Sequence, residues 1–481
     1  MRIFDTKVQE IKYKVLSEVA RKTWEGKDSF AEFDDIAKLI VADEPTMRCC
    51  IYKERAIVAE RIRIALGGKK DNPNIIEVIE IACDECPVAG HVVTDLCRGC
   101  IAHRCQDVCK LGAISFDEHQ NAKIDKSKCV ECGKCANVCP YKAINNFIRP
   151  CERACKVKAI HMGETKAATI DHSKCISCGA CVYQCPFGAT VDKSFIVDAI
   201  HIIKGSKENT AYKVYAIVAP SIASQFKYVE MGQVITGIKN LGFFEVMEVA
   251  FGADMVALSE AQELIDKGFL TTSCCPAFVS YIYKHCPSMI PHISHNLSPM
   301  AALGKYIKEH DRSAKVIFIG PCTAKKEEIR REEVGTYVDC VLTFEELQAL
   351  FSSRDIELEC LEEKQFEKAS GFGRGFANTG GVAQAVTQAV KELATESGEE
   401  STAAHFTVNP IACDGIEKCK TILLRASKGG LPNNLIEGMA CIDGCIGGAG
   451  CLSHGEKNRD YIVKYSNASK IKSLHESGRA E

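Results

Sequence analysis

Two stretches of the chain repeat one cysteine spacing, C-x2-C-x2-C-x3-C, and a proline follows each stretch at once. Three thiolates spaced this tightly wrap one iron–sulfur cubane, and the fourth cysteine ligates the other cluster of a pair. The spacing therefore predicts two 4Fe–4S clusters. The predicted ligand sets are Cys129, Cys132 and Cys135 with Cys185, and Cys175, Cys178 and Cys181 with Cys139. Structural zinc prefers ligands in CxxC pairs, often with histidine, and this duplicated eight-cysteine pattern does not fit that preference.

Eight more cysteines lie beside these two stretches. They are Cys97, Cys100, Cys105 and Cys109, the pair Cys151 and Cys155, and the pair Cys83 and Cys86. We expect the first six to hold one further 4Fe–4S cluster. The last pair raises the number of cysteines between residues 81 and 190 to sixteen, which is the number that four cubanes need. Two interpretations of this pair stay open: ligands of a fourth cluster, or a free pair or small zinc site.

Three cysteine motifs lie far apart in the second half of the chain. They are TSCCP within 272–278, PCxxKxxE within 320–328 and ExMxCxxGC within 437–450, and Thr379-Gly380-Gly381-Val382 lies between the last two. Cys441 and Cys445 are four residues apart, so on a helical turn they face the same way. The glycines after Cys445 let the backbone approach a cofactor closely. A lone buried cysteine is usually a small hydrophobic residue, but three such motifs beside a cluster-binding segment favour one buried cluster with ligands from distant loops.

These motifs resemble the signature motifs of the FeFe-hydrogenases, and the cysteine-rich segment resembles a bacterial two-cluster ferredoxin. The resemblance covers residues 97–455. It implies an H-cluster, which is a 4Fe–4S cubane joined through one cysteine sulfur to a two-iron subsite with CO, cyanide and a bridging azadithiolate. The implied cubane ligands are Cys275, Cys322, Cys441 and Cys445, the last of which bridges to the diiron subsite. The implied reaction is reversible proton reduction, 2H⁺ + 2e⁻ ⇌ H₂.

The resemblance also implies roles for side chains that are not ligands. Lys325 matches the lysine that contacts a cyanide, and Cys274 matches the thiol that passes protons to the azadithiolate amine. Glu260, Glu263 and Ser298 are the matches for a proton path beyond Cys274. From the residues alone these three also fit exposed helix carboxylates and a helix N-cap, so that alternative stays open.

Four positions differ from the best-known family pattern. Phe278 stands where tryptophan is common, Gly320 replaces a methionine, and Asp443 replaces a glycine. Ala449-Gly450-Cys451 replaces a Gly-Gly-Gln-Pro ending. These differences look like the group B branch of the family. They also add the Cys451 thiol near the site, where it either packs inertly or acts on the diiron subsite.

The hydrophobic pattern indicates which elements position these residues. Residues 1–80 show helical spacing, as in Ile11, Val15 and Val19, and residues 206–481 alternate strand-like runs such as Lys315–Gly320 with helical ones. Such alternation is typical of an α/β domain with largely parallel strands. We predict a helical N-terminal segment (1–80), an α+β ferredoxin-like iron–sulfur domain (81–205) and an α/β catalytic domain (206–481). The resemblance implies that the catalytic domain has two lobes around the H-cluster.

Composition limits the classes of function. With 481 residues, 46% hydrophobic and 26% charged, and a net charge of −3, the chain is neither mainly disordered nor a strongly basic nucleic-acid binder. No apolar run approaches the ~20 residues that span a bilayer, and the first residues lack a secretory apolar region, so we expect a cytoplasmic protein without membrane contact.

The resemblance implies a ferredoxin or flavodoxin as electron partner and dedicated maturation proteins. The run 371–375 lacks the G-x-G-x-x-G spacing, so direct use of NAD(P)H is not predicted. Two alternatives to the enzyme stay open: an H₂ sensor, and a non-catalytic hydrogenase-like iron–sulfur assembly protein.

Overall fold

A computed structural model describes residues 4–27, 34–47, 49–84, 86–87, 89–364, 368–397 and 401–477. Three helices come first: α1 (Lys7–Trp24), α2 (Asp34–Ile40) and α3 (Ile51–Ala65). Helix α1 begins with a capping box, in which Thr6 accepts from the Gln9 backbone N–H and the Gln9 side chain accepts from the Thr6 backbone N–H. Its apolar face enters the main core through Val15 and Val19. The N-terminal helices therefore share a core with the second half of the chain.

The cysteine-rich segment consists of short helices and antiparallel strand pairs. Its strands are β1 (Ile76–Val78), β2 (Gly90–Val93), β3 (Ile114–Phe116), β4 (Ala122–Ile124), β5 (Ile144–Phe147), β6 (Ile160–Met162), β7 (Ala168–Ile170) and β8 (Thr190–Asp192). Its helices are α4 (Arg104–Asp107), α5 (Lys134–Val138), α6 (Pro150–Ala154) and α7 (Ala180–Gln184), with a 3₁₀ turn at Glu80–Ala82. The pairs are β1–β8, β2–β5, β3–β4 and β6–β7.

This pairing shows two ferredoxin-like units, one nested inside the other. The inner unit runs from β2 to β5 and contains α4, the β3–β4 hairpin and α5. The outer unit begins at β1, is interrupted by the inner unit, and resumes with α6, the β6–β7 hairpin, α7 and β8. Each unit is therefore closed by its own first and last strands.

The second half of the chain contains two separate parallel sheets. The strands are β9 (Val214–Val218), β10 (Glu245–Glu248), β11 (Leu270–Thr271), β12 (Lys315–Gly320), β13 (Cys340–Thr343), β14 (Pro410–Asp414) and β15 (Leu435–Met439). One sheet has the order β10-β9-β12-β13 and the other has the order β11-β15-β14. All of their pairs are parallel. The carboxyl ends of parallel strands are where α/β folds place their sites.

Helices cover both sheets. They are α8 (Ile196–Gly205), α9 (Met231–Asn240), α10 (Val249–Lys267), α11 (Pro276–His285), α12 (Pro299–His310), α13 (Ala324–Glu328), α14 (Glu332–Gly335), α15 (Phe344–Ser353), α16 (Gly371–Gly375), α17 (Gly381–Ser397), α18 (Thr402–His405), α19 (Ile416–Ala426) and α20 (Asn458–Asn467). Further 3₁₀ turns lie at Pro220–Ser224, Pro287–His292, Leu358–Cys360 and Cys445–Gly447. Helix α8 packs into the same core as α1. None of the helices in the described ranges is both long and apolar enough to cross a bilayer.

Five buried charged side chains join the three parts of the molecule. Lys12 of α1 contacts Asp192 of β8 at 2.5 Å and Glu345 of α15 at 2.6 Å. Lys326 of α13 contacts the other Asp192 oxygen and Glu346, both at 2.9 Å. Asp192 thus bridges two lysines. Burial alone would raise the pKa of its carboxyl, but the two cations outweigh that effect and hold the pKa well below the usual range. We call this set the junction network.

A glycine in β15 makes room for a buried aromatic ring. A Cβ on Gly438 would lie 2.2 Å from ring atoms of Phe278, which is fully buried in α11. Gly438→Ala is therefore expected to lower the free energy of unfolding by about 1–3 kcal/mol, because the ring must move within a packed core. Chemical unfolding checks this value, with Gly455→Ala as the control, since a Cβ there meets no atom within 4 Å. Equal effects of the two substitutions would contradict the prediction.

Candidate functional site

One buried cavity of about 90 Å³ gathers the residues that the motifs single out. Its lining includes Cys274, Cys275, Cys322, Lys325, Cys441 and Cys445. These residues follow the carboxyl ends of β11, β12 and β15, so the two sheets point the ends of their strands at one space. Proline, methionine, phenylalanine and alanine side chains complete an almost entirely apolar wall.

Local backbone features set the cysteines in place. Cys275 is the N-cap of α11, whose first residue is Pro276, so the helix starts immediately after the thiol. Gly444 has φ +84° and ψ −148°, a conformation that favours glycine, and it delivers Cys445 to the start of a 3₁₀ turn. A Cβ on Gly448 would lie 2.5 Å from the Pro321 carbonyl oxygen, so this loop passes directly against the Cys322 loop.

The thiols of the cavity are held in a medium that disfavours their charged form. Burial raises the pKa of Cys322 to about 11 and that of Cys445 to about 12. Burial also raises the pKa values of Cys274 and Cys441 well above the ordinary thiol value. Four thiolates can exist together in such a place only beside compensating positive charge. Four converging thiols with apolar walls are a donor set that fits an iron–sulfur cubane, which supplies that charge.

Lys325 is a fixed cation in the cavity wall. Its ammonium group donates to Ser298 Oγ at 2.9 Å and to Glu328 Oε2 at 2.6 Å. The side chain is buried, and Glu328 is the last residue of the PCxxKxxE motif. The motif spacing therefore places cation and carboxylate on adjacent turns, where they hold each other in one position.

Glu437, the first residue of the ExMxC motif, fastens a loop rather than lining the cavity. Its two carboxylate oxygens accept from the backbone N–H groups of Gly380 at 2.7 Å and Ala383 at 2.8 Å. These donors lie at the start of α17, where an anion is favoured. Burial raises the pKa of Glu437 to about 7. The Thr379–Val382 stretch is thus tied to β15.

A line of polar side chains leads away from Cys274. Glu260 is fully buried on α10, and its Oε1 accepts from Ser273 N at 3.1 Å, while its Oε2 has no hydrogen-bond partner among the described residues. Burial raises the pKa of Glu260 to about 7. Ser294 faces Glu260 and donates to Glu263 Oε2 at 3.0 Å. Glu263 in turn accepts from Lys267 Nζ at 2.6 Å near the surface.

The structure places Ser298 elsewhere. Its side chain caps α12 and accepts from Lys325, so it does not connect the two carboxylates. Ser294, four residues earlier, occupies the position that the sequence prediction gave to Ser298. Both serines precede the same helix, and spacing alone does not distinguish them. The N-cap alternative for Ser298 agrees with the geometry, whereas the exposed-carboxylate alternative does not fit the buried Glu260.

The nested units correct the predicted pairing of the accessory cysteines. Cys139 lines one small cavity with Cys97, Cys100 and Cys105, rather than joining Cys175, Cys178 and Cys181. Cys151 instead lies near both Cys185 and Cys83. The fourth cysteine of each run therefore crosses to a partner within its own ferredoxin-like unit. The sequence prediction exchanged the fourth cysteines of the two most similar runs. It was wrong because each run belongs to a different ferredoxin-like unit.

Backbone N–H groups mark equivalent cysteines in the two units. Four thiol sulfurs accept from an alanine N–H four residues further on, at 3.1–3.4 Å: Cys109, Cys139, Cys155 and Cys185. Cys97 accepts from Ala122 in the inner hairpin, and Cys83 accepts from Ala168 in the outer one, both at 3.4 Å. Cys83 and Cys86 therefore correspond to Cys97 and Cys100, separated from the rest of their unit by the insertion.

By this correspondence the sixteen cysteines form four sets of four. The inner sets are Cys97, Cys100, Cys105, Cys139 and Cys109, Cys129, Cys132, Cys135. The outer sets are Cys83, Cys86, Cys151, Cys185 and Cys155, Cys175, Cys178, Cys181. Within the described ranges, no three Cys, His, Asp or Glu side chains lie close enough together to hold a single metal ion. Four cysteine thiols are the donor set that a 4Fe–4S cubane takes, so each set fits that cluster.

The set with Cys178 lies directly against the central cavity. Thr323, next to Cys322, donates its hydroxyl to the Ser177 carbonyl at 2.7 Å. A Cβ on Gly179 would lie 2.4 Å from Ala449 Cβ and 2.7 Å from Thr323 Oγ1, so the two loops touch without a gap. The thiols of Cys178 and Cys322 are close enough to influence each other electrostatically.

The structure shows the surroundings of Gly320 and Cys451, two of the residues that differ from the common family motifs. A Cβ on Gly320 would lie 2.4 Å from the Phe318 ring, and Phe318 is part of the cavity wall, so this ring fills space beside the position of the missing methionine side chain. Cys451 is fully buried, and its thiol donates to the Ile446 carbonyl at 3.4 Å. This contact fits the packing interpretation of Cys451.

Residues 212–449 match the family model described as iron only hydrogenase large subunit, C-terminal domain. Residues 96–143 match a 4Fe-4S dicluster domain, and residues 128–188 match a 4Fe-4S double cluster binding domain. These matches cover the central cavity and most of the accessory cysteine sets.

Several known proteins are similar to this chain. Iron hydrogenase 1 of Clostridium pasteurianum is 27% identical over 69% of this chain and 65% of its own length. NADP-reducing hydrogenase subunit HndD of Solidesulfovibrio fructosivorans is 27% identical over 60% and 59%. Nuclear prelamin A recognition factor of Mus musculus is 26% identical over 44% and 56%. The chain thus spans less than two thirds of the length of these relatives.

A solved structure supports the fold. An FeFe-hydrogenase variant from Chlamydomonas reinhardtii superposes with a TM-score of 0.50 at 22% identity, over 59% of this chain and 92% of the other. The two chains share the fold of the domain that contains the cavity.

Proposed function

Because the chain belongs to the iron-only hydrogenase family, we propose that it catalyses 2H⁺ + 2e⁻ ⇌ H₂ at an H-cluster bound in the central cavity. One observation carries this proposal. The four cysteines that match the cubane ligands line the same buried cavity as Cys274 and Lys325, the two side chains that the chemistry needs in addition to ligands. When bound, the H-cluster supplies the iron site for hydrogen and its store of electrons.

The residues of the chain would hold, shield and tune this group. Cys275, Cys322, Cys441 and Cys445 would be its cubane ligands, with Cys445 as the bridge to the diiron subsite. The apolar wall would exclude water, which strengthens every electrostatic contact inside. Lys325, held by Ser298 and Glu328, would present a fixed positive charge to an anionic ligand.

Protons would move between Cys274 and the surface through Glu260, Ser294 and Glu263. The support is the series of contacts from Ser273 and Glu260 to Lys267, together with Glu260 Oε2, for which the described part of the structure offers no hydrogen-bond partner. A carboxyl with a pKa of about 7 can both take and release a proton at neutral pH.

Electrons would pass through four accessory 4Fe–4S clusters, one in each set of four cysteines. The set with Cys178 would deliver them to the H-cluster across the Thr323–Ser177 contact. A ferredoxin or flavodoxin would be the external partner, the cytoplasm the location, and dedicated maturation proteins the source of the diiron subsite. The four departures from the common motifs support a place in the group B-like branch.

A non-catalytic iron–sulfur assembly protein is the second candidate. It is favoured by the similarity to cytosolic Fe-S cluster assembly factor NAR1 of Kluyveromyces lactis, which is 37% identical over 20% of this chain. Such a protein needs the cubane cysteines but has no use for Cys274 or Lys325 in the cavity wall. An H₂ sensor would need both, and only its turnover would differ.

The test is H₂ evolution from dithionite-reduced methyl viologen. The protein is prepared anaerobically, loaded with cubanes and the synthetic diiron cofactor, and checked by infrared spectroscopy for assembled CO and cyanide ligands. Sustained H₂ evolution is the expected result. Assembled cofactor without turnover would favour the sensor, and failure to take up the diiron subsite would favour the assembly protein.

Ser294→Ala is expected to lower H₂ evolution by at least tenfold, because the hydroxyl between Glu260 and Glu263 is lost. Ser294→Thr keeps a hydroxyl and is expected to retain most of the rate. Infrared bands identical to those of the unchanged protein exclude damage to the cofactor. A rate unaffected by Ser294→Ala would remove Ser294 from the path.

A further inference from the structure

Two buried arginines lie beside the same outer cysteine set, which consists of Cys83, Cys86, Cys151 and Cys185. Arg61 comes from α3 and is 4% exposed. Its Nη2 donates to the carbonyl of Phe187, two residues after Cys185, at 3.3 Å. Its Nε is buried and has no acceptor among the described residues. A buried guanidinium with an unused donor indicates that a negative partner belongs nearby.

Arg149 approaches the set from another side. It is 2% exposed and precedes Cys151 by two residues. Its Nε donates at 3.3 Å to the carbonyl of Pro87, which follows Cys86 in the chain, and its Nη1 has no acceptor in the described part of the structure. Each arginine is therefore tied to the backbone within two residues of a cysteine of this set, and each has one buried nitrogen without an acceptor among the described residues.

Among the described residues, the hydrogen bonds of Arg61 and Arg149 go to backbone carbonyl oxygens rather than to a carboxylate. For Arg61, burial lowers the pKa to about 10, and the nearby group that opposes this effect is the Cys185 sulfur. Within the described ranges, neither positive charge is therefore paired with a carboxylate. A tetrathiolate cubane carries the opposite charge and would lie next to them.

A glycine provides the space for Arg61. Gly188 has φ +57°, and the equivalent position in two sister repeats is lysine at a similar angle, Lys142 at +50° and Lys158 at +54°. The backbone at this position therefore does not require glycine. At Gly188, however, a Cβ would lie 2.5 Å from both Arg61 Nη2 and Val8 Cγ1. Glycine here accommodates the arginine and the start of α1.

We propose that Arg61 and Arg149 are built-in countercharges of the cluster in this outer set and raise its reduction potential above that of the other accessory clusters. The inference rests on the proposed function, because it requires a cluster in this set. Reduction adds one negative charge to the cluster, and buried cations favour the reduced form with little screening by salt. The N-terminal segment, which supplies Arg61, would thus set the point on the electron route where an electron is held longest.

The test is an anaerobic redox titration followed by electron paramagnetic resonance, on the full chain with its accessory clusters. In Arg61→Gln the reduction equilibrium constant of one cluster is expected to fall about tenfold. Its signal should therefore appear at a potential about 59 mV lower, for a one-electron reduction. Arg149→Gln is expected to shift the same signal. Arg61→Lys keeps the charge and should largely restore the potential. Arg153→Gln, which removes an exposed arginine on α6, should leave it unchanged.

Measured iron and sulfide contents distinguish a failure of the proposed cluster content from a failure of the countercharge proposal. Fewer than four accessory clusters in the unchanged protein would contradict the proposed cluster content. Four clusters with potentials that stay the same in both glutamine variants would overturn the countercharge proposal and leave the hydrogenase proposal standing. If Arg61→Gln loses the cluster, Arg61→Lys provides the test, because it keeps the positive charge. A decrease in the cluster potential in Arg61→Lys as large as the decrease in Arg149→Gln would overturn the countercharge proposal, since packing rather than charge would then set the potential.

Discussion

Replacing Cys274 with alanine is expected to reduce H₂ evolution by about 10²–10⁴-fold, while the cofactor remains bound. Cys274 lines the cavity but is not one of the four cysteines that match cubane ligands, so its loss should not release iron. Burial raises the pKa of its thiol, and the nearby Glu260 carboxylate raises it further, so the two groups are close enough to interact. The substitution thus removes the first carrier of the path and leaves the rest in place.

The measurement is the viologen assay on protein with matched infrared spectra. Cys286→Ala is the control, because Cys286 lies at the opposite end of α11 and is not among the residues that line the cavity. Cys274→Ser should also be impaired, since a hydroxyl gives up its proton far less readily than a thiol. Full activity in Cys274→Ala would mean that protons reach the cavity by another route, and the path through Glu260 would have to be abandoned.

Lys326→Met is expected to lower the free energy of unfolding by about 3–5 kcal/mol, which is the usual cost of removing one partner from a buried ion pair. The ammonium group of Lys326 is fully buried and contacts both Asp192 and Glu346. Without it, those carboxylates stay in the junction network with Lys12 as the remaining cation. The loss would loosen α1, β8 and α15 from one another at the same time.

The single tryptophan reports on this event directly. Trp24, at the end of α1, donates its ring N–H to Ser353 Oγ of α15 at 3.2 Å. Its fluorescence during urea unfolding should therefore show an earlier midpoint in Lys326→Met. Lys420→Met, at an exposed position of α19, should change stability by no more than about 0.5 kcal/mol. An unchanged midpoint in Lys326→Met would show that the junction network does not stabilise the fold.

The stability that the junction network contributes is expected to depend on pH. Its lysines lower the pKa of Asp192 below the ordinary value of 3.8. A carboxyl with a depressed folded-state pKa contributes stability that is present above the ordinary value and is lost as the pH falls toward the folded-state value. The difference in stability between the unchanged protein and Lys326→Met should therefore shrink in acid.

Motifs predict the central cavity well, because each motif fixes the chain locally at a strand end. TSCCP, PCxxK and CxxGC each follow a strand of a parallel sheet, so the carboxyl-end rule brings their cysteines to one space. The strand at Lys315–Gly320 has the same limits in sequence and structure. The limits of the three predicted domains stay predictions, since α1 and α8 pack in the core of the first parallel sheet.

Relations between distant segments could not be read from spacing. The choice between Ser294 and Ser298 depends on which hydroxyl faces a carboxylate on another helix. The partner of Cys139 depends on strand pairing between β2 and β5, which carry no motif. Lys12 looks like an ordinary surface residue of an amphipathic helix, and its buried role appears only when Asp192 and Glu345 are brought next to it.

The nesting of the two ferredoxin-like units has an architectural consequence. Gly90 and Phe147, the first and last residues of the inner unit, are direct neighbours in the β2–β5 ladder. A module whose ends meet can be added to or removed from a host without pulling the host apart. The inner unit therefore has the form of a cassette, which separates Cys83 and Cys86 from Cys151 and Cys155 along the chain. A shorter chain that lacks the cassette would still contain a complete outer ferredoxin fused to the cavity domain.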